Sequence, residues 1–284
     1  MRLNPFNTSN IDVRGGGGGG RRAGGVGCGA IVIALAGALI FGIDPADTLS
    51  TIGGMDSGTQ QTQNSGASEQ ELCTANAYAT ETCNALDSLN TTWARVFEEQ
   101  GVTGFRPPSL TFLQGGRQRT GCGAASSAMG PFYCPADQGI YIDTRFYDQL
   151  AQMSGDRGDF ARLYVIAHEY GHHIQTVTGI SNAIRSAQAQ NPRQSNQLQV
   201  LMELQADCYA GVWAAKNSDR IERGDLQEGM RAAASIGDDT LQKRAGQRVN
   251  PEGFTHGTSD QRMKALQLGF RGDDRQCDAI TQIR

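Results

Sequence analysis

The pentapeptide His168-Glu169-Tyr170-Gly171-His172 constrains this 284-residue chain more than any other stretch. On a helix, residues four apart stack on one face. The spacing therefore sets two imidazoles side by side with a carboxylate next to them, the pattern of a zinc clamp with its own general base. The flanks support a helix. Phe160, Leu163, Tyr164, Ile166 and Ala167 recur at three and four spacing ahead of the motif, with Asp156 and Asp159 as cap candidates, and a helix is predicted from about Asp159 to Thr178. His168 and His172 are the predicted metal ligands. Glu169 is the predicted base, placed to hold an activated water rather than the ion. His173 points away from the pair and reads as a packing residue. A solvated polar face is the bland alternative, but three of the chain's four histidines fall within residues 168–173, inside an apolar frame.

A third ligand must come from elsewhere in the chain. One class of zinc peptidase carries Gly and His at the third and sixth positions after the motif; Gln175 and Thr178 stand there, which excludes it. A second helix is predicted over Gln197–Ala215, with Leu198, Leu201, Leu204, Cys208, Val212 and Ala215 at helical spacing after Ser195 as cap. On it, Glu203 and Asp207 lie one turn apart. Glu203 can complete a His, His, Glu site, and Asp207 can accept the free ring N–H of a ligand histidine and fix its tautomer. Alone, such an acidic pair is what many solvated helix faces present; its meaning comes from partnership with the first motif.

The remainder of the chain bounds the setting. A net charge of −4 without a basic cluster in the folded part gives no reason to expect nucleic acid as a partner. Arg2, Arg14, Arg21 and Arg22 precede an uncharged apolar run from Val26 to Ile43, at the short end of what spans a bilayer. A positive flank before such a run predicts a cytoplasmic N-terminus and an exported remainder. The expected organisation is a Gly/Arg-rich disordered tail over 1–25, a single transmembrane anchor over 26–43, a flexible linker over 44–68 and a folded domain over 69–284. A cleaved signal peptide is the rival; its small-residue triplet Ala36-Gly37-Ala38 lies inside the apolar run instead of after it.

Within the folded part, Ser68 and Glu71 form a capping-box pattern before a largely helical stretch to Gln100, with Trp93, Val96 and Phe97 as core candidates. Ser109–Leu113 and Gly139–Ile142 read as strands, and Phe132-Tyr133 as an edge strand. Setting Cys28 aside, six of the seven cysteines remain, an even number suited to disulfides and to export. Cys122 and Cys134 are the first pair expected, Cys208 and Cys277 the second. In an unbroken helix Cys73 and Cys83 would stand about 15 Å apart, beyond the roughly 7 Å that a bridge spans; either the helix breaks or they do not pair.

The strings HEYGHHIQ (168–175), ELQADCYAGVWA (203–214), CGAASSAMGPFYCPAD (122–137) and THGTSDQR (255–262) resemble the bacterial neutral zinc metallopeptidase family, a group of membrane-anchored peptidases. The resemblance implies a mainly helical, zincin-like α+β domain with a small sheet, Zn2+ held by His168, His172 and Glu203, and a protein or peptide substrate hydrolysed at the outer face of the cytoplasmic membrane. In zincin folds an edge strand near the metal pairs with substrate backbone, which makes residues around Gly130–Tyr133 candidates for strand addition. His256 is a candidate donor to the oxyanion, since the pattern Thr258–Gln261 fixes the chain just after it. Tyr209 and Tyr170 are alternatives, and Arg262 can orient His256 or a substrate carboxylate. An inactive, zinc-stabilised envelope scaffold uses the same residues and stays open.

Overall fold

The computed structural model describes residues 1–16, 67–115 and 117–282. A four-stranded sheet runs in the order β1 (Val13–Gly15), β2 (Ser109–Phe112), β6 (Gly139–Ile142), β5 (Phe132–Cys134). β1, β2 and β6 are parallel; β5 runs antiparallel to β6 at the sheet's edge, with Tyr133 opposite Ile140. A separate hairpin, β3 (Arg117–Thr120) and β4 (Gly123–Ser126), packs Ala125 beside Phe132, Cys134 and Tyr141. Around the sheet lie α1 (Glu69–Thr74), α2 (Ala77–Glu99), α3 (Phe146–Ser154), α4 (Asp159–Val177), α5 (Ile180–Gln190), α6 (Ser195–Lys216), α7 (Asp225–Ser235), α8 (Asp238–Arg244), α9 (Ser259–Gly269) and α10 (Arg275–Asp278).

Two helices organise the core. α6 is buried nearly all round over Gln205–Ala214 because α4 covers one side and α9 the other. Both contacts depend on missing side chains. A Cβ on Gly171 would come within 2.8 Å of the Ala206 Cα, so the fourth residue of the histidine motif is the point at which α4 touches α6. A Cβ on Gly269 would fall 2.0 Å from the Cys208 carbonyl oxygen, and α9 seats against α6 there. Trp93, Trp213, Tyr164 and Phe160 fill the surrounding space at 2% exposure or less.

Local signals set several boundaries. The Ser68 capping box is formed, as is that of Thr258 with Gln261. α4 begins one residue after Gly158, which supplies no side-chain cap; Asp156 accepts from Gly158 N–H instead, and Asp159 is a first-turn acid. The helical stretch to Gln100 does break: α1 stops at Thr74, and Asn76, in extended conformation, caps α2 by accepting from Ala79 N–H. That turn folds α1 back, bringing Cys73 and Cys83 to a Cα separation of 5.8 Å and allowing their disulfide. Cys122–Cys134 and Cys208–Cys277 are also bridged, the latter fastening α6 to α10.

Two expectations about the N-terminal region require correction. The fold is mainly helical α+β with small sheets, but a preceding membrane helix does not belong to it: no helix among the described residues is long and apolar enough to cross a membrane. The longest, α2 and α6, carry buried Asn90, Glu203, Gln205 and Asp207, groups suited to a protein core with partners and not to lipid. Residues 26–43 themselves lie outside the described residues. Further, residues 1–16 are not a disordered tail. Val13 pairs with Leu110 in the sheet, Ile11 and Val13 are buried, and the Met1 amino group lies 2.9 Å from Asp159 at the start of α4.

His173 shows how α4 is held to the sheet. Its ring is fully buried, donates from Nε2 to the Arg106 carbonyl (2.7 Å) and accepts at Nδ1 from the Tyr133 hydroxyl (3.1 Å). Burial lowers its pKa from 6.5 to about 4, against the pull of the Arg106 carbonyl. The unfolded chain takes up this proton near pH 6.5 and the folded one only near 4, so the stability from the neutral ring is full above 6.5 and lost as pH falls toward 4. Urea unfolding of wild type and His173→Gln should show their difference narrowing by up to about 2 kcal/mol between pH 7 and 5; a constant difference contradicts a buried neutral ring. Gly269→Ala should cost about 1–3 kcal/mol by overpacking the α6–α9 contact, and an unchanged unfolding midpoint contradicts that close approach.

Candidate metal centre

α4 and α6 cross so that the imidazoles of His168 and His172 face Glu203. His168 Nε2 lies 3.2 Å and His172 Nε2 3.5 Å from the same oxygen, Glu203 Oε2. Both rings are oriented through their other nitrogen. Asp207 Oδ1 is 2.7 Å from His168 Nδ1; a carboxylate only accepts, so Nδ1 carries the hydrogen and Nε2 is turned to Glu203. Gln175 does the same for His172. Its Nε2 donates to the Met202 carbonyl (2.7 Å) and Gln205 Oε1 (3.0 Å), which turns its Oε1 to accept from His172 Nδ1–H at 2.9 Å. Gln199, one turn before Glu203, donates to the carboxylate's second oxygen at 2.9 Å.

Beneath this triad lies a buried ionic network. Asp207 is fully buried; beyond His168, it accepts from the Tyr164 hydroxyl (2.6 Å) and from Arg262 through Nε (2.9 Å) and Nη2 (2.9 Å). Arg262, 2% exposed, also donates to Tyr164 Oη at 3.0 Å and to the Ile236 carbonyl at 3.3 Å. Burial alone pushes the Asp207 carboxyl up, yet Arg262 and His168 outweigh it and hold the group at about 2. Glu203 likewise stays well below the usual carboxylate range: burial opposes ionisation, and the two imidazoles overcome it. Both rings are shifted up against burial by these carboxylates. The two carboxylates thus favour positive charge beside the imidazole pair.

Glu169 is 8% exposed, and burial raises its carboxyl above the ordinary value against the pull of both histidines, a shift that suits a base meant to hold a proton briefly. His256 sits in the turn before α9, half-buried, on a segment whose Gly257 packs against Val200 and Leu204 of α6. A proton on its ring would favour the ionised form of Glu203. The two tyrosines named as alternatives are committed elsewhere: Tyr209 donates to Asp278 at 2.6 Å and Tyr170 to Asn90 at 3.0 Å. Arg262 is buried and its hydrogen bonds go to Asp207, Tyr164 and the Ile236 carbonyl, none of them to His256.

Gln175 and Gln199 carry a faint sequence signal, lying three and four residues from a ligand on the same helix, as does Tyr164, four before His168. Arg262 contacts Asp207 across 55 positions, and no local pattern announces it.

A family model described as "Putative neutral zinc metallopeptidase" matches residues 5–280. The chain belongs to this family. The Escherichia coli protein YpfJ is 49% identical over 200 residues, 69% of either chain, and the Mycobacterium bovis protein Mb2605 is 40% identical over 194 residues, 63% of this chain and 64% of that one. No solved structure matches it. The family name implies zinc, and the donor set fits it. Two imidazole nitrogens and one carboxylate oxygen lie within 4.8 Å of one another. Atoms bound about 2.0–2.1 Å from one tetrahedral zinc stand roughly 3.3–3.4 Å apart, the range that the 3.2 and 3.5 Å separations bracket.

Removing Arg262 would leave Asp207 buried without its counter-charge. Arg262→Met is expected to destabilise the fold by about 3–5 kcal/mol in guanidinium unfolding, with Asp207→Asn in the same chain restoring part of the loss. A cost below about 1 kcal/mol, or no restoration, contradicts the dependence of Asp207 on this arginine.

Proposed function

We propose that this protein is a zinc-dependent endopeptidase in which His168, His172 and Glu203 hold the ion and Glu169 is the general base. The convergence of two oriented Nε2 atoms on one Glu203 oxygen carries this reading. Among the described residues the group has three protein donors, and structural zinc sites usually have four, which favours an enzyme over a zinc-stabilised scaffold. When bound, zinc supplies Lewis acidity that polarises the scissile carbonyl and acidifies water at the site.

The chain's own residues would supply the remainder. Glu169 takes a proton from the attacking water and returns it to the leaving amine, helped by burial that raises its proton affinity. Asp207 and Gln175 keep the ligand imidazoles in the required tautomer. His256 is the donor to the oxyanion, supported by its place beside the Glu203 turn of α6. β5 is the strand to which an extended substrate would add: among the described strands it pairs with β6 alone, and Tyr133 ties it to α4 next to His172. Three disulfides favour work in an oxidising compartment outside the cytoplasm.

The full chain, prepared with its disulfides formed, should bind zinc and cleave an unfolded protein. Glu169→Gln should retain the metal and slow cleavage by about 10²–10⁴-fold. Glu203→Ala should lose most of the zinc. Equal cleavage by wild type and Glu169→Gln removes Glu169 as the base.

A further inference from the structure

Asp238, the first residue of α8, is fully buried, and its carboxylate is wrapped by the segment that carries His256. Oδ2 accepts three consecutive main-chain N–H groups, from Thr255 (2.8 Å), His256 (2.6 Å) and Gly257 (3.0 Å). Oδ1 stands 3.3 Å from His256 Nδ1. The Asp238 N–H in turn donates to the Gly257 carbonyl at 2.9 Å, closing a ring between the two segments. Its neighbour Asp239 accepts from Ser259 N–H at 2.7 Å, so the whole turn entering α9 is clamped from α8.

Helix geometry does not require this. α8 spans only Asp238–Arg244, and its acid reaches across to another segment without capping its own helix by a side-chain bond. A buried carboxylate needs several donors, and here all of them come from the residues on either side of one histidine, together with that histidine's ring. Burial pushes the Asp238 carboxyl up, and His256 with the amides brings it below its ordinary range, so it stays ionised. The Thr255 hydroxyl, 3.0 Å from the same Nδ1, can accept alongside the carboxylate or donate in its place. The charged acceptor is the stronger partner and leaves the hydrogen on Nδ1.

We propose that Asp238 is a positioning residue for His256: it fixes the main chain on either side and accepts the Nδ1 hydrogen, so that Nε2 faces substrate and, in the ring that carries both hydrogens, its N–H is the one that donates to the oxyanion. The proposal rests on the peptidase reading for its catalytic meaning, while the geometry it asserts can be measured without turnover. Among the described residues, Asp238 from α8 is the carboxylate in hydrogen-bond contact with the His256 ring, and Glu203 from α6 interacts with it through space.

With four histidines in the chain, ¹⁵N-histidine labelling of the full zinc-loaded protein resolves each ring, and His256→Gln assigns the signal. The wild-type His256 ring is expected to carry a hydrogen on Nδ1. In Asp238→Asn the amide oxygen can keep the main-chain N–H groups while its NH2 turns to Nδ1, so the ring holds a single hydrogen, on Nε2, and is left an uncharged and weaker donor. Zinc content and KM should hold while kcat falls about 10–100-fold, the scale of losing a partner that orients a site histidine. Asp238→Ala should also speed amide exchange at Thr255, His256 and Gly257. A wild-type ring protonated on Nε2 alone overturns the proposal, as does Asp238→Asn with wild-type kcat. Should wild type cleave nothing, the peptidase reading fails, and the tautomer and amide exchange still decide whether Asp238 sets the ring. Should Asp238→Asn not fold, the wild-type tautomer decides.

Discussion

An ionised carboxylate in a protein core has to be surrounded by donors, and Asp207 is where this fold meets that demand. Its donors come from two helices, Tyr164 and His168 on α4 and Arg262 on α9, and converge on a third, α6. One charge thereby fixes the mutual placement of the elements that carry the candidate site. It also sets the tautomer of His168, so the interaction that holds the helices together is the same one that turns a ligand nitrogen toward Glu203.

Close approach makes that convergence possible. Gly171 lets α4 lie on Ala206, three residues along from Glu203, and Gly269 lets α9 lie on Cys208. With the helices so near, Gln175 spans from the His172 ring to the Met202 carbonyl and Gln205, and Gln199 reaches the free oxygen of Glu203. His168, His172 and Glu203 are each held by a neighbour on one or the other of these two helices, which keeps the Nε2 pair aimed before any ion arrives.

The legible parts of the sequence were those whose physics is local. One-turn spacing exposed the His168, Glu169, His172 face and the Glu203, Asp207 face, and capping chemistry marked Ser68 and Thr258. The helix of the second motif was harder to read in its burial: periodicity favours one apolar face, whereas α6 is enclosed by α4 and α9 and buries its acids too. Contacts between distant segments left no pattern. Arg262 read as a partner for His256 or for a substrate carboxylate and proved to hold Asp207, and Asp238 gave no sign of gripping residues 255–257 from 17 to 19 positions away. At the N-terminus composition misled. Glycine and arginine density read as a tail, yet Ile11 and Val13 supply the apolar alternation of a short strand that joins the sheet beside β2.

One ion gripped by two imidazoles and a carboxylate from two helices is the central claim, with His168 and Glu203 lying 35 positions apart in sequence. Zinc K-edge absorption on the full-length, zinc-loaded protein tests this most directly. The account requires one zinc per chain with only nitrogen and oxygen neighbours at about 2.0–2.2 Å and outer-shell scattering from two imidazoles, reduced to near background in Glu203→Ala. A sulfur neighbour at about 2.3 Å, or zinc bound equally well by the Glu203→Ala protein, contradicts it.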